Sequence, residues 1–504
     1  MSGDEPAGVV FPSSADGRRS TSAVGSAVVA DALRHADPAG ALDAEQDTNW
    51  RAGYIVHFRR LVEAGLPSRD VAVAVARDGL DSLHRRMRVV HAGGEETGLG
   101  TLLSAPEERR FTAVTVPGTG QADEELSLPY QGDRLRGGAL LRRLDTWVDS
   151  GMIEPSCADA VRTVAAHPEW LRLPGRSIAV LGAGAEVGPL LPLLSWGARV
   201  IAVDLPRPPI WERILDTARR SGGTLLVPVA HDQPGQHDQP GEHEPGGGSE
   251  ALAQRAGLDL TSEVPAVADW LATIDGPLVL GNYVYADGAA NVRLSSAVDA
   301  LTVRLQAGRD DVALAFLATP TDVFAVPAEA VAQSVRAYTT RPPAAKLAGL
   351  PLRALSGGRL LRRAYPPGAD PGINDSLVAQ QGPNYALAKR VQRWRATVAR
   401  EAGTTVSMNV APPTRTRSVM KTRLLAAAYA SAHRFGVEVF EPATCKVLMA
   451  ALLVHDLHTG GPPSAHPWQD EAHAAAHGGL WRIAYAPRSA LGLAAALGYA
   501  TARK

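Results

Sequence analysis

Tyr385 and Lys389 stand four residues apart in Asn384-Tyr385-Ala386-Leu387-Ala388-Lys389, a spacing that places a phenol and an ammonium on one face of a helix. A phenol with an ordinary pKa near ~10 is a poor base at neutral pH, but a neighbouring ammonium favours the phenolate, each pKa unit being about 1.4 kcal/mol. Such a pair gives a proton to, or takes one from, a carbonyl or carbinol oxygen. A second chemistry-bearing stretch is Gly182-Ala183-Gly184-Ala185-Glu186-Val187-Gly188, set between an apolar run and the helical stretch Leu190 to Trp196. Helix N-termini offer unpaired N–H groups to a pyrophosphate, and glycine lets the backbone come close. Asp204 follows about 20 residues later, where a carboxylate accepts hydrogen bonds from an adenosine ribose and repels a 2′-phosphate. That favours NAD(H), with Arg207 as the argument for NADP(H).

The same turn and acid also suit methyltransferases that bind S-adenosylmethionine, although such sites usually carry an acid just before the first glycine, where this chain has Val180 and Leu181. Glycines that serve only tight strand-to-helix packing are the structural alternative. His455-Asp456-Leu457-His458 and the pair His473 and His477 bring imidazoles close in sequence, but no third ligand of suitable spacing accompanies them, so no metal site is expected. Gly281-Asn282-Tyr283-Val284-Tyr285 does not supply the GxSxG elbow of a hydrolase. Tyr283 and Tyr285 are candidates either for a substrate pocket or for packing against a sheet.

These residues need a scaffold, and the patterning predicts one. Ser177 to Leu181, Arg199 to Val203, Thr224 to Val229, Pro277 to Leu280 and Val312 to Ala318 are short apolar runs separated by helical stretches, the signature of buried parallel strands. The fold class expected is α/β, a doubly wound, Rossmann-like parallel sheet, with an N-terminal mostly helical domain and a C-terminal helical appendage. The divisions expected are a flexible tail over 1–43, with one short helix near Ser26 to Arg34, and a mostly helical domain over 44–172 with a β-prone piece at Phe111 to Val116. A dinucleotide-binding domain over 173–460 and the appendage over 461–504 follow. The binding domain contains a low-complexity loop at 230–250, in which His231, His237 and His243 recur among Pro and Gly, and an insert at 322–375.

Composition sets the outer bounds. The chain has 504 residues, 45% apolar and 20% charged, with a formal net charge of −1, which excludes a mostly disordered protein. No block of lysine and arginine makes a nucleic-acid footprint. No apolar run approaches the ~18 residues of a membrane span, and the start carries no signal core, so a cytoplasmic protein with no membrane partner is expected. Cys157 and Cys445 are read as packed thiols.

Taken together, Leu181-Gly182-Ala183-Gly184-Ala185-Glu186-Val187-Gly188, the Tyr385/Lys389 pair and Asn409-Val410-Ala411-Pro412-Pro413-Thr414-Arg415-Thr416 resemble the short-chain dehydrogenase/reductase family, whose motifs are TGxxxGxG, YxxxK and an NxxxPG…T loop. The resemblance covers about residues 176–206 and 380–455. It implies an oxidoreductase that moves a hydride between NAD(P)(H) and a secondary alcohol or ketone. Tyr385 would be the acid/base, and Lys389 would bind the nicotinamide ribose and lower the tyrosine pKa. Thr416 would orient the ring, while Gly182, Gly184, Glu186, Val187, Gly188 and Asp204 would hold the rest of the cofactor. It also implies a small-molecule substrate and self-association. Thr319 is the first candidate for the family's catalytic serine and Ser376 the second; Asn282 stands for its structural asparagine. Three departures accompany the resemblance. Glu186 occupies the place of the middle glycine, no clear serine precedes the tyrosine helix, and Tyr385 lies about 203 residues beyond Gly182. They favour, as the rival, a catalytically silent member kept as a binding or assembly module. A methyltransferase is the third reading. The helical domain and the insert are expected to close over the substrate.

Overall fold

The computed structural model describes residues 7–231, 249–461 and 464–501. Its centre is a seven-stranded sheet: Phe111–Pro117 (β1), Ser177–Leu181 (β2), Arg199–Val203 (β3), Thr224–Ala230 (β4), Leu278–Asn282 (β5), Val312–Ala318 (β6) and Val406–Val410 (β7). The spatial order is β7-β6-β5-β2-β3-β4-β1. β2 to β7 are parallel and buried on both faces, which accounts for their mostly apolar residues; in β7 the buried Ser407 and Asn409 are satisfied by Asp456. Alternate residues feed two cores: Ile178 and Val180 point into one, Ala179 and Leu181 into the other. β2 has β3 on one side and β5 on the other, so the chain reverses its direction of growth between them. In open α/β sheets the crevice at the carboxyl ends of such a strand pair is where ligands bind.

β1 was expected inside a helical domain. It instead pairs antiparallel with β4 over its whole length, from Phe111↔Ala230 to Pro117↔Thr224. Phe111 and Val116 are buried in opposite cores, with Ala113 and Val114 packed beside them, while Thr112 and Thr115 are exposed, so this edge strand is covered in part on both faces. Residues 44–172 do not stand apart as a domain. Trp50–Gly65 and Arg69–Arg86 share a core with β2 and β5, whereas Pro155–Ala166 joins the core on the opposite face.

The expected tail is also structured from residue 7 onward. Thr21–Leu33, capped by the Ser20 hydroxyl on the Ala23 N–H, buries Val24, Val28, Val29 and Leu33. Its alanines, glycine and serines let it lie close to Arg69–Arg86, and because small residues occupy every face its amphipathic period is faint. The C-terminal segment is no appendage either: Trp481 is fully buried, with its ring 5.4 Å from Phe324. Of the low-complexity loop, 232–248 lie outside the described residues, and with them His237 and His243. The insert forms the antiparallel ribbon Val323–Val326 and Gly372–Asp375 with two helices, Ala328–Thr339 and Pro343–Leu355.

The helix Gly382–Glu401, which carries Tyr385, is fixed by two devices. Trp394 packs on Gly79, where a Cβ would come within 2.5 Å of the indole. The Arg395 guanidinium donates to both oxygens of the buried Asp299 at 2.7 and 2.8 Å, and His84 meets the same carboxylate at 2.7 Å. One carboxylate thereby joins three helices, Arg69–Arg86, Ala289–Gly308 and Gly382–Glu401.

Candidate functional site

Two strand ends and one helix bring the central residues together. β6 ends at Ala318 and delivers Thr319, β5 ends at Asn282, and the first turns of Gly382–Glu401 supply Tyr385 and Lys389. The Thr319 hydroxyl faces the Tyr385 phenol. Burial pushes that phenol up to about 12, the Thr319 hydroxyl opposing and the Asp322 carboxylate reinforcing the shift. The Tyr285 ring meets the Tyr385 ring edge-on, with centroids 6.2 Å apart, and donates its own hydroxyl to Asp287 at 2.7 Å. The Tyr385 phenol is also close enough to Tyr429 to add to the upward push that burial gives that residue's pKa.

Lys389 does not do what its spacing suggested. Its ammonium donates to the Leu317 carbonyl at 3.2 Å and to Gln392 Oε1 at 3.0 Å, not to the phenol. The Gln392 amide in turn donates to Asn282 Oδ1 at 3.2 Å. Asn282 and Lys389 are therefore joined through Gln392, a residue the sequence reading missed although it lies one helical turn beyond Lys389. Burial holds the lysine down to about 8, with Asp322 opposing.

A pH dependence follows from that lysine. Unfolded, it titrates near the ordinary 10.5, so between about 8 and 10.5 the unfolded chain binds more protons and stability rises with pH. Wild type should therefore gain on Lys389→Met by up to about 3 kcal/mol across this window in urea denaturation. Parallel stability curves for the two proteins would show the ammonium to be solvated.

Ser376, the second serine-type candidate, lies elsewhere. It is buried at the end of the ribbon and donates to Asn374 Oδ1, whose amide reaches the Tyr365 hydroxyl at 2.9 Å. Behind Tyr385 and Lys389 sits a cluster that the sequence did not disclose. Asp322 pairs with Arg390 at 3.0 Å and with Arg393 at 2.8 Å, and Arg393 pairs with Glu471 at 2.6 Å. Burial would raise the Asp322 pKa, but Arg390 and Arg393 outweigh it and hold the carboxyl below its usual range.

The glycine turn takes an internally satisfied form. Gly182 has φ +81, and a Cβ there would lie 3.0 Å from the Tyr283 carbonyl, so this position requires glycine. The Gly182 and Ala183 N–H groups donate to Val203 O, and Ala185 N–H to Gly182 O. Gly184 N–H donates to Asp204 Oδ2 at 2.7 Å, and Leu205 N–H to Asp204 Oδ1 at 2.8 Å. Asp204, whose carboxyl burial raises against these N–H groups, thus ties the turn to the end of β3. Glu186 accepts the Arg417 N–H at 2.8 Å and faces the Arg417 guanidinium at 3.5 Å. Thr416 caps the helix Arg417–Lys421 and shares a hydrogen bond with Ser418, so Glu186 draws the Thr416 loop onto the turn.

The helix after the turn has the place and, with Trp196 as its C-cap, the length that the sequence suggested. It runs from Leu190 to Ser195, and Pro189 and Pro192 remove N–H groups from its start. Val187, Pro189, Tyr283, Leu317 and Met449 line a void of about 10 Å³ beside it, room for one water. In this closed form the turn does not fit a pyrophosphate: its Gly182, Ala183, Gly184 and Ala185 donors are spent, and a carboxylate latches over it. The groups around Tyr385 do fit a carbonyl or carbinol oxygen, offering a phenol and a hydroxyl side by side.

Three of the histidines weighed in the sequence have structural partners. His477 bonds to Glu154 and stacks on Trp481, His458 stacks on Trp170, and His455 faces Asp456. Among the described residues no three metal-ligating side chains gather. Cys157 and Cys445 are buried, and burial pushes the Cys445 thiol up to about 11. The chain is α/β, with a mostly parallel central sheet, and among the described residues no helix is long and apolar enough to cross a membrane. A scan of family models and searches of curated proteins and of solved structures found no match for it.

Proposed function

We propose that the chain is an oxidoreductase with a Rossmann-like sheet, similar to short-chain dehydrogenases/reductases, acting on a secondary alcohol or ketone with NAD(H), or else NADP(H), as the hydride carrier. The observation that carries this reading is the meeting of Thr319 and Tyr385 at the strand ends, with Asn282, Gln392 and Lys389 chained behind them. A phenol raised to about 12 keeps its proton at neutral pH, so Tyr385 rests in the form that donates to a ketone oxygen. Thr319 holds the substrate oxygen beside that donor. Lys389 positions the helix end through Leu317 and Gln392. Entry of a dinucleotide requires the Glu186–Arg417 contact to open and the turn to give up internal bonds such as Gly184 N–H to Asp204.

The closed turn favours a second reading, a catalytically silent Rossmann-like binding or assembly protein. A methyltransferase, the third reading, leaves the Thr319–Tyr385 arrangement without a role. Thermal shift with NADH, NADPH and S-adenosylmethionine separates the three, because a ligand at 100 times its Kd adds about 2.7 kcal/mol of stability. The enzyme reading expects a response to a nicotinamide nucleotide alone, and expects Glu186→Ala, which removes both the latch and a negative charge, to bind NADH roughly three- to tenfold more tightly. Silence towards all three ligands by both proteins would leave the assembly reading standing.

A further inference from the structure

The insert carries a surface unlike the rest of the chain. Between Glu329 and Asp370 there are seven cations and no acid, in a protein whose net charge is −1. Arg336, Lys346, Arg353, Arg359, Arg362 and Arg363 are exposed, and none of them joins an ion pair among the described residues. Within this stretch the helix Pro343–Leu355 turns its apolar side outward. Leu355, Leu347 and Leu350 are 88%, 71% and 61% exposed, the three most exposed large apolar side chains among the described residues. Its inner side is made by Gly349 against Leu361 and by the half-buried Leu352, and the Arg353 guanidinium anchors it to the Tyr338 hydroxyl. A surface helix of a globular protein shows the reverse arrangement, polar side out.

Charge decides what covers this face. A second copy docked through the same patch would set cations against cations, which an isologous contact cannot avoid. A nucleic acid would match the cations but not three projecting leucines. A helix with leucines on one side, basic residues around it and no acid nearby matches the boundary of an anionic lipid layer, where apolar side chains enter among the acyl chains and arginine and lysine meet phosphates. We propose that Pro343–Leu355 and the arginines following it are a docking surface for an anionic membrane. This interfacial contact is independent of the oxidoreductase reading. It also differs from a span, for which the 13-residue helix is too short.

The test uses the full chain and vesicle co-flotation. Vesicles are phosphatidylcholine alone, or phosphatidylcholine with about 30 mol % phosphatidylserine. The protein should float with the anionic vesicles and not with the neutral ones, and added salt should weaken the association. Leu347→Ser/Leu350→Ser, at exposed positions, should weaken it by roughly tenfold or more while leaving the circular dichroism spectrum unchanged. Arg359→Gln/Arg362→Gln/Arg363→Gln should act in the same direction. Absence of flotation at low salt would overturn the proposal. So would flotation indifferent to the leucine changes, or a leucine variant whose main effect is to dissociate a dimer in sedimentation.

Discussion

Asp322→Ala should lower the stability of the protein by roughly 3–5 kcal/mol in equilibrium urea denaturation. Asp322 is 1% exposed and Arg390 4%, and both lie behind Tyr385. Removing the carboxylate leaves Arg393 with Glu471 but leaves Arg390 without a counter-charge. That guanidinium has little in reserve. Its Nε already lacks a partner, and burial with the nearby Arg393 pulls its pKa down to about 10. Asp310→Ala, at an exposed position on the surface, is the control and should change stability by less than about 0.5 kcal/mol. A loss below about 1 kcal/mol for Asp322→Ala would mean that water reaches Arg390 once the carboxylate is gone. The same replacement bears on the site, because Asp322 raises the pKa of both Tyr385 and Lys389.

Tyr385→Phe should bind NADH as wild type does and lose turnover by roughly 10²- to 10⁴-fold, the usual worth of a positioned general acid. The ring would keep its edge-on contact with Tyr285, so packing is preserved and only the proton is removed. Nicotinamide absorbance during ketone reduction gives the rate, and thermal shift gives binding. Retained turnover would refute the role of the hydroxyl, whereas parallel loss of binding and stability would assign Tyr385 to packing. Thr319→Val is the companion measurement: it removes the second hydroxyl with little change of volume and should reduce kcat less than Tyr385→Phe.

The parallel strands were legible because burial on both faces leaves an unmistakable apolar run. Ser177–Leu181, Arg199–Val203 and Val312–Ala318 have the bounds that the sequence predicts. Phe111–Pro117 was visible as β-prone, but nothing local tells an edge strand that its partner lies more than a hundred residues away. Thr21–Leu33 was legible only in its second half, as a short helix near Ser26 to Arg34, because small residues blur its helical period, although Ser20 offered a capping signal. At the site, Tyr385, Lys389, Thr319 and Asn282 were legible from type and order. Their chemistry was less so. Whether an ammonium lowers a phenol's pKa depends on where each side chain turns, and the structure turns Lys389 towards Leu317 and Gln392. The Asp322 cluster joins residues 68 and 71 positions apart through burial alone, a relation that carries no mark in a single sequence.

The segment around Trp481 bears on how this chain is made. Glu154 waits, 323 and 328 residues ahead, for His477 and Arg482, while Phe324 and Tyr365 wait for Trp481. A ribosome delivers residues in order, so the nascent chain carries an unpaired acid and an open apolar socket until residues 477–482 have been made. Premature termination before Ala472 would release a product with its sheet assembled but its keystone missing, a natural client for chaperones and proteases.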